Sequence, residues 1–193
     1  RCIRIAEVGS LNLLSSTNSI HMSRLTSQFY SATSPEFFCK LVTFLNNSYK
    51  NSPYNNQNPW PMLKPHLFLT LSDNDKILAN QSIFLLNSSR PDLIIYGLGD
   101  LAVLPRLRGT GLAGRLIREA IAWSTRQNGN ILLTNSETMH GYFLRLGFTP
   151  TPDADQRFRY ELRGKEITDP GKLYLLLNNT EISDQITISS PVF

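Results

Sequence analysis

The stretch LAVLPRLRGTGLAGRLI, residues 101–117, restricts the fold more than any other part of the chain. An apolar run stops at Pro105, and Arg106 and Arg108 follow. Gly109, Gly111 and Gly114 then fall within six residues, after which Leu112, Leu116, Ile117, Ala120 and Ile121 recur at helical spacing. The pattern reads as strand, glycine turn, helix. A helix N-terminus carries unpaired N–H groups and the positive end of the macrodipole. Glycines just ahead of it let successive N–H groups converge on one point and let a phosphate approach the backbone. The segment Arg106, Arg108, Gly109, Thr110, Gly111, Leu112, Ala113 and Gly114 therefore reads as a pyrophosphate cradle with two added positive charges.

The spacing of Gly109, Gly111 and Gly114 also fits the G-x-G-x-x-G of dinucleotide-binding folds. That fingerprint belongs in a βαβ unit with an acid roughly 20 residues on, closing the next strand. Here the next strand, ILLT (131–134), is followed by no acid until Glu137, and a hairpin pattern precedes the unit. A nucleotide-dependent oxidoreductase rests on the glycine spacing alone. The triphosphate-binding loop fails, because no G-K-[ST] follows.

The rest of the chain supplies a mixed α/β setting. SPEFFCKLVTFLNNSY (34–49) predicts a helix, with Ser34 as cap, Pro35 at its first position and Glu36 in its first turn. The Asn- and Pro-rich KNSPYNNQNPWPMLKP (50–65) predicts a long loop. HLFLTLSDNDKILANQSIFLL (66–86) reads as two strands about an Asp-Asn-Asp turn. DLIIYGLGDLAVLP (92–105) is a long strand whose Gly97 and Gly99 suggest a bulge or a close backbone approach. The helix from Leu112 stops near Gly129, SETMHGYFLRLGF (136–148) has helical spacing up to Gly147, and RFRYELRG and KLYLLLN read as late strands. Residues 1–20, with the short strand pattern CIRIAEV, read as an extension, and 21–193 as one domain.

Composition narrows the function classes. The chain has 193 residues, 41% hydrophobic and 18% charged, which excludes a disordered segment. Its net charge of +4 comes without clustered basic runs, so nucleic acid is not an expected partner. No run approaches a membrane span. Two cysteines, Cys2 and Cys39, make neither a disulfide framework nor a metal site, and point to a reducing, cytoplasmic setting. His21, His66 and His140 show no metal-ligand spacing, and Met139, Phe37, Phe38 and Phe44 read as core.

GDLAVLPRLRGTGLAGRLI (99–117) resembles the acyl-CoA-binding signature of the GNAT superfamily of N-acyltransferases, with Val103, Pro105, Arg106, Gly109 and Gly111 on its marked positions. NSETMHGYFLRLGF (135–148) resembles that family's later helix. IHMSRLTSQ (20–28) and DPGKLYLLL (169–177) look similar to the aminoglycoside 2'-N-acetyltransferase branch, and nodulation-type N-acyltransferases have a comparable layout. The resemblance implies a mostly antiparallel sheet flanked by helices, with splayed central strands. It implies acetyl-CoA or another acyl-CoA as co-substrate, no metal, and a small-molecule amine as acceptor, and leaves a homodimer open.

Residue roles follow from the resemblance alone. The strand Leu101, Ala102, Val103 would polarise the thioester carbonyl through backbone N–H, chiefly near Val103. Asp100 sits where many members carry the base; a strand-end Asp bonded to backbone or exposed is the other reading. The aminoglycoside branch carries its acid one residue earlier, where this chain has Gly99. The family's usual tyrosine, the acid, falls on Phe143, and Tyr142 is one residue earlier. One residue turns a helix by about 100°, so both cannot face one sulfur; Phe143 reads as core, and Tyr142 as either acid or core. Ser136 and Asn135 could bond the CoA arm, or "SETM" could cap the next helix. The displaced tyrosine keeps open a CoA-binding module without turnover. The acids Asp92, Asp100, Glu137, Asp153, Asp155 and Asp184 are not visibly gathered for a polycationic acceptor.

Overall fold

The computed structural model describes residues 23–49, 60, 63–136, 139–151, 158–162, 165–167 and 172–189. The reading of 1–20 as an extension, and most of the 50–65 loop, lie outside them.

Hydrophobic alternation builds a seven-stranded sheet in the order β1-β2-β3-β4-β5-β9-β6. Its strands are β1 (Arg24–Phe29), β2 (Leu67–Asp73), β3 (Lys76–Leu86), β4 (Ile95–Val103), β5 (Ile131–Asn135), β6 (Thr149–Pro150) and β9 (Lys172–Leu176). Every neighbouring pair is antiparallel except β4–β5. A parallel pair needs a crossover, and α2 (Leu112–Arg126) supplies it. Three further strands, β7 (Phe158–Leu162), β8 (Lys165–Ile167) and β10 (Ile186–Ile188), form a small second sheet.

The sheet has a core on each face. On one, Leu41, Phe44 and Leu45 of α1 (Pro35–Ser48) pack with Phe68, Phe84 and the small sheet's Phe158, Ile186 and Ile188. On the other, Leu116, Ile117, Ala120 and Trp123 of α2 and Phe143 of α3 (His140–Arg145) pack over Leu69, Leu71, Leu98 and Leu132. β2 feeds both faces, with Leu67, Leu69 and Leu71 on one and Phe68 on the other, which explains why Leu67 to Leu71 are all buried.

Local signals place the elements. Ser34 accepts a hydrogen bond from the Phe37 N–H at 3.2 Å, and Pro35 opens α1. Ser34→Ala is expected to cost about 1 kcal/mol and lower Tm by roughly 2–4 °C, read by thermal unfolding. The β2–β3 turn places Asn74 and Asp75 at φ 44° and 63°, the pair of left-handed residues that a two-residue hairpin needs. At the end of α2 the left-handed residue is Asn128 (φ 57°), not Gly129. The Gly129 N–H bonds the Ser124 carbonyl at 2.8 Å and the Asn128 N–H that of Thr125 at 3.1 Å. Gly129 serves close approach instead: a Cβ there would lie 2.8 Å from the Ser124 carbonyl and 3.0 Å from the Tyr96 ring. The predicted helix over 136–148 is shorter, His140–Arg145, and stops at Gly147 with φ 91° as expected.

Candidate active site

Two central strands part company. β4 and β5 pair from Ile95↔Ile131 to Leu98↔Thr134 and no further. Beyond Leu98, β4 runs on to Val103 paired, among the described residues, with β3 alone, while β5 stays with β9 through Asn135↔Lys172. A wedge therefore opens in the middle of the sheet. The Leu104 N–H bonds the Leu78 carbonyl on β3 at 2.9 Å. Backbone groups alternate in direction along a strand, so Val103 turns its N–H to the other side, into the wedge.

A bulge marks where the parting begins. Ser82 faces Gly99 and Asn80 faces Ala102, so Gln81 alone opposes Asp100 and Leu101. Asp100 takes φ 54° to make the extra residue fit, a conformation that Asp tolerates better than most side chains. Two buried amides pin it: Gln81 Nε2 donates to the Gly99 carbonyl at 2.6 Å and Asn80 Nδ2 to the Asp100 carbonyl at 3.3 Å. The Tyr49 hydroxyl donates to the Leu101 carbonyl at 2.7 Å. The glycine signal in this strand thus marks a real bulge, whose strained residue is Asp100.

At the open end of the wedge stands the glycine turn. Pro105–Leu107 form one 3-10 turn, the Thr110 hydroxyl donates to the Leu107 carbonyl at 2.6 Å, and Gly111 precedes the first residue of α2. Gly109 and Gly111 have φ 80° and 88°, and a Cβ on either would meet no atom within 4 Å. Conformation, not crowding, demands glycine here. Among the described residues no side chain caps the helix. Uncapped first N–H groups are what an anion site requires.

The predicted site residues fall as follows. Leu101, Ala102 and Val103 line the wedge on β4, and Leu112 and Ala113 open α2. Arg106 is exposed on the 3-10 turn. Arg108 reaches back instead, its guanidinium donating to the Ser48 carbonyl at 3.2 Å and the Val103 carbonyl at 3.4 Å, tying α1 to the end of β4. The Tyr142 phenol lies over Gly114 in the first turn of α2, where a Cβ would collide with its hydroxyl. Phe143 is buried against Phe148, the centroids 5.1 Å apart, and is core. The Ser136 hydroxyl accepts from the Met139 N–H at 3.1 Å and so organises the turn into α3. Asp92 and Asp184 pair with Arg90 beyond the far end of β4, away from the wedge. Among the described residues no cluster of His, Cys, Asp or Glu could hold a metal, and no helix is long and apolar enough to cross a membrane.

Asp100 is half-buried in the chain as a whole. Withdrawal of its carboxyl from water pushes its pKa up to about 7. Trp60 Nε1 donates to Asp100 Oδ2 at 2.8 Å. Burial first, and the Asp100 charge second, push the Tyr49 phenol well above its usual range, with Arg108 acting the other way. Tyr49 therefore remains a hydroxyl donor. Trp60, Tyr49, Asn80 and Gln81 were not legible as site residues. Trp60 lay within the Asn- and Pro-rich loop 50–65, with no spacing that linked it to Asp100.

Residues 64–150 match the family model of the acetyltransferase (GNAT) domain. No curated protein matches the sequence. Among solved structures, the chain is similar to the GNAT family N-acetyltransferase YhbS of Escherichia coli in complex with CoA, at TM-score 0.66 and 16% identity over 90% of this chain and 93% of that one. It is similar to a GNAT family acetyltransferase from Brucella melitensis in complex with acetyl-CoA, at TM-score 0.59 and 17% identity over 87% and 96%. ElaA of Escherichia coli aligns at TM-score 0.57 and 18% identity over 79% and 99%. At such identities these are likenesses of fold. The family match covers the stretch that holds β2 to β6, the wedge and the glycine turn, so residues 64–150 are what the chain shares with the GNAT acetyltransferase domain.

Proposed function

We propose that the protein transfers an acyl group, in the first instance acetyl, from acyl-CoA to the amine of a small molecule by direct attack. One observation carries the reading: the unpaired stretch of β4 opens beside an uncapped, glycine-turned helix start. The turn 109–112 would take the pyrophosphate through backbone N–H groups, with Arg106 adding charge. The thioester then lies along the wedge, and the Val103 N–H would polarise its carbonyl. The amine nitrogen attacks that carbon, its proton goes to the Asp100 carboxylate, and the C–S bond breaks. The thiolate takes a proton from water or from Tyr142. YhbS and the Brucella enzyme, with CoA and acetyl-CoA in their structures, support the choice of donor.

Among the described residues Asp100 is the one carboxylate at the wedge, which favours a monoamine over an aminoglycoside-type polycation. The test is thiol release from acetyl-CoA across an amine panel, beside a CoA titration. Release with at least one small amine is expected. Tight CoA binding with no release for any amine would overturn the transfer and leave a binding module. Tyr142→Phe is expected to lower kcat about tenfold at unchanged CoA affinity, a modest share of general-acid catalysis because water competes for the task. An unchanged kcat would assign the phenol to packing over Gly114.

A further inference from the structure

Asp100 stands in a strand bulge with a left-handed backbone. A group from outside both the sheet and the glycine turn reaches its carboxyl. Trp60 lies 40 residues away in sequence, is 6% exposed, and aims its indole N–H at Oδ2 over 2.8 Å. Its ring is itself held on three sides, by Phe68 at 5.3 Å, Phe38 at 5.8 Å and Tyr30 at 6.1 Å between centroids. An indole N–H has no competing acceptor function, so it can only donate. A donor clamped in an aromatic box is rigid, which is what a positioned carboxylate requires.

We propose that Trp60 is a positioning residue for acyl transfer, its indole N–H orienting the Asp100 carboxyl and favouring the ionised form that accepts the amine proton. The inference rests on the transfer reading above for its function, and on the Trp60–Asp100 contact for its geometry. Near Asp100, Tyr49 from the end of α1 bonds the neighbouring Leu101 carbonyl, Arg108 acts on that phenol from the turn, and Asn80 on β3 bonds the Asp100 carbonyl. Trp60 donates to the carboxyl itself. Burial disfavours its charge, whereas a hydrogen-bond donor at a carboxylate oxygen favours the charged form. Loss of the donor must therefore raise the pKa further.

The experiment compares the 193-residue chain with its Trp60→Phe variant, which keeps an aromatic in the box, and with 3-benzothienylalanine placed at position 60. The second keeps the bicycle and puts sulfur where the N–H was, so packing is preserved if Trp60→Phe folds poorly. Two readouts are taken: the carbon-detected NMR titration of the Asp100 carboxyl, and the pH profile of kcat. The carboxyl titration is expected to move up by about one pH unit in both variants, an ordinary size for one charge-assisted bond. With a starting value near 7, the ionised fraction at pH 7 falls from about one half to about one tenth, so kcat there drops about fivefold. The acidic limb moves with it, and CoA affinity stays unchanged. An unmoved titration in a folded variant overturns the proposal, whether or not the wild type turns over. The transfer reading is judged separately, by thiol release from the wild type.

Discussion

Asp100→Asn is expected to lower kcat by about 10²–10⁴-fold, the usual share of a general base, with CoA affinity unchanged. The amide is nearly isosteric and can accept from the Trp60 N–H through Oδ1, so the bulge should survive. The wild type should gain activity with rising pH through a midpoint near 7, because only the carboxylate takes the amine proton. Stability should move the other way. The folded protein holds this proton up to about pH 7, whereas the unfolded chain releases it near 3.8. Between those values the native state binds more protons, so stability falls as pH rises. Asp100→Asn removes that dependence, and its Tm advantage over wild type should grow from pH 4 to pH 8. Thermal unfolding at several pH values, run beside kcat profiles, checks both. An activity loss without the pH-dependent gain in Tm would assign Asp100 to the chemistry but not to a buried, titrating carboxyl.

Gly111→Val is expected to weaken CoA binding by about a hundredfold or more. Two penalties combine. The residue sits at φ 88°, where a β-branched side chain costs of order 1–3 kcal/mol. Relaxing that strain swings the first N–H groups of α2 away from the anion, and each charge-assisted bond is worth about 1.5–3 kcal/mol. Because no atom lies within 4 Å of the added Cβ, the variant meets no steric clash and should stay folded at a lower Tm. Isothermal titration with CoA on the folded variant gives the answer. Unchanged affinity would remove the phosphate from this turn.

What could be read in the sequence was what chemistry writes within a few residues. Ser34-Pro35, the Asn74-Asp75 turn and the Gly109–Gly111 turn each carry their conformation in adjacent side chains, and each was found. β1 and β10 were missed, since RLTSQF is an edge strand of mixed burial and ITI is three residues long. The Trp60–Asp100 bond was out of reach for a different reason. It joins positions 40 residues apart, and no local periodicity encodes such a pairing. Likewise the seat of Tyr142 on Gly114 arises from docking α3 on α2. Counting along the chain showed that Tyr142 and Phe143 face apart and read Phe143 as core, as it is, whereas the place of Tyr142 came only from the packing.

The wedge between β4 and β5 also creates a boundary that an intact sheet would not have. From Gly99 to Val103 the protein has an interior edge strand, with backbone groups lacking a ladder partner on one side. Edges of this kind invite pairing with other chains unless something blocks them. Here that edge is short: only the five residues Gly99 to Val103 lie beyond the last β4–β5 pair. If the proposed acyl-CoA lies in the wedge, its amide groups would supply the missing ladder partner. Substrate occupancy and sheet completion would then be one event, and the amides of β4 should exchange with solvent fastest when no ligand is there to close it.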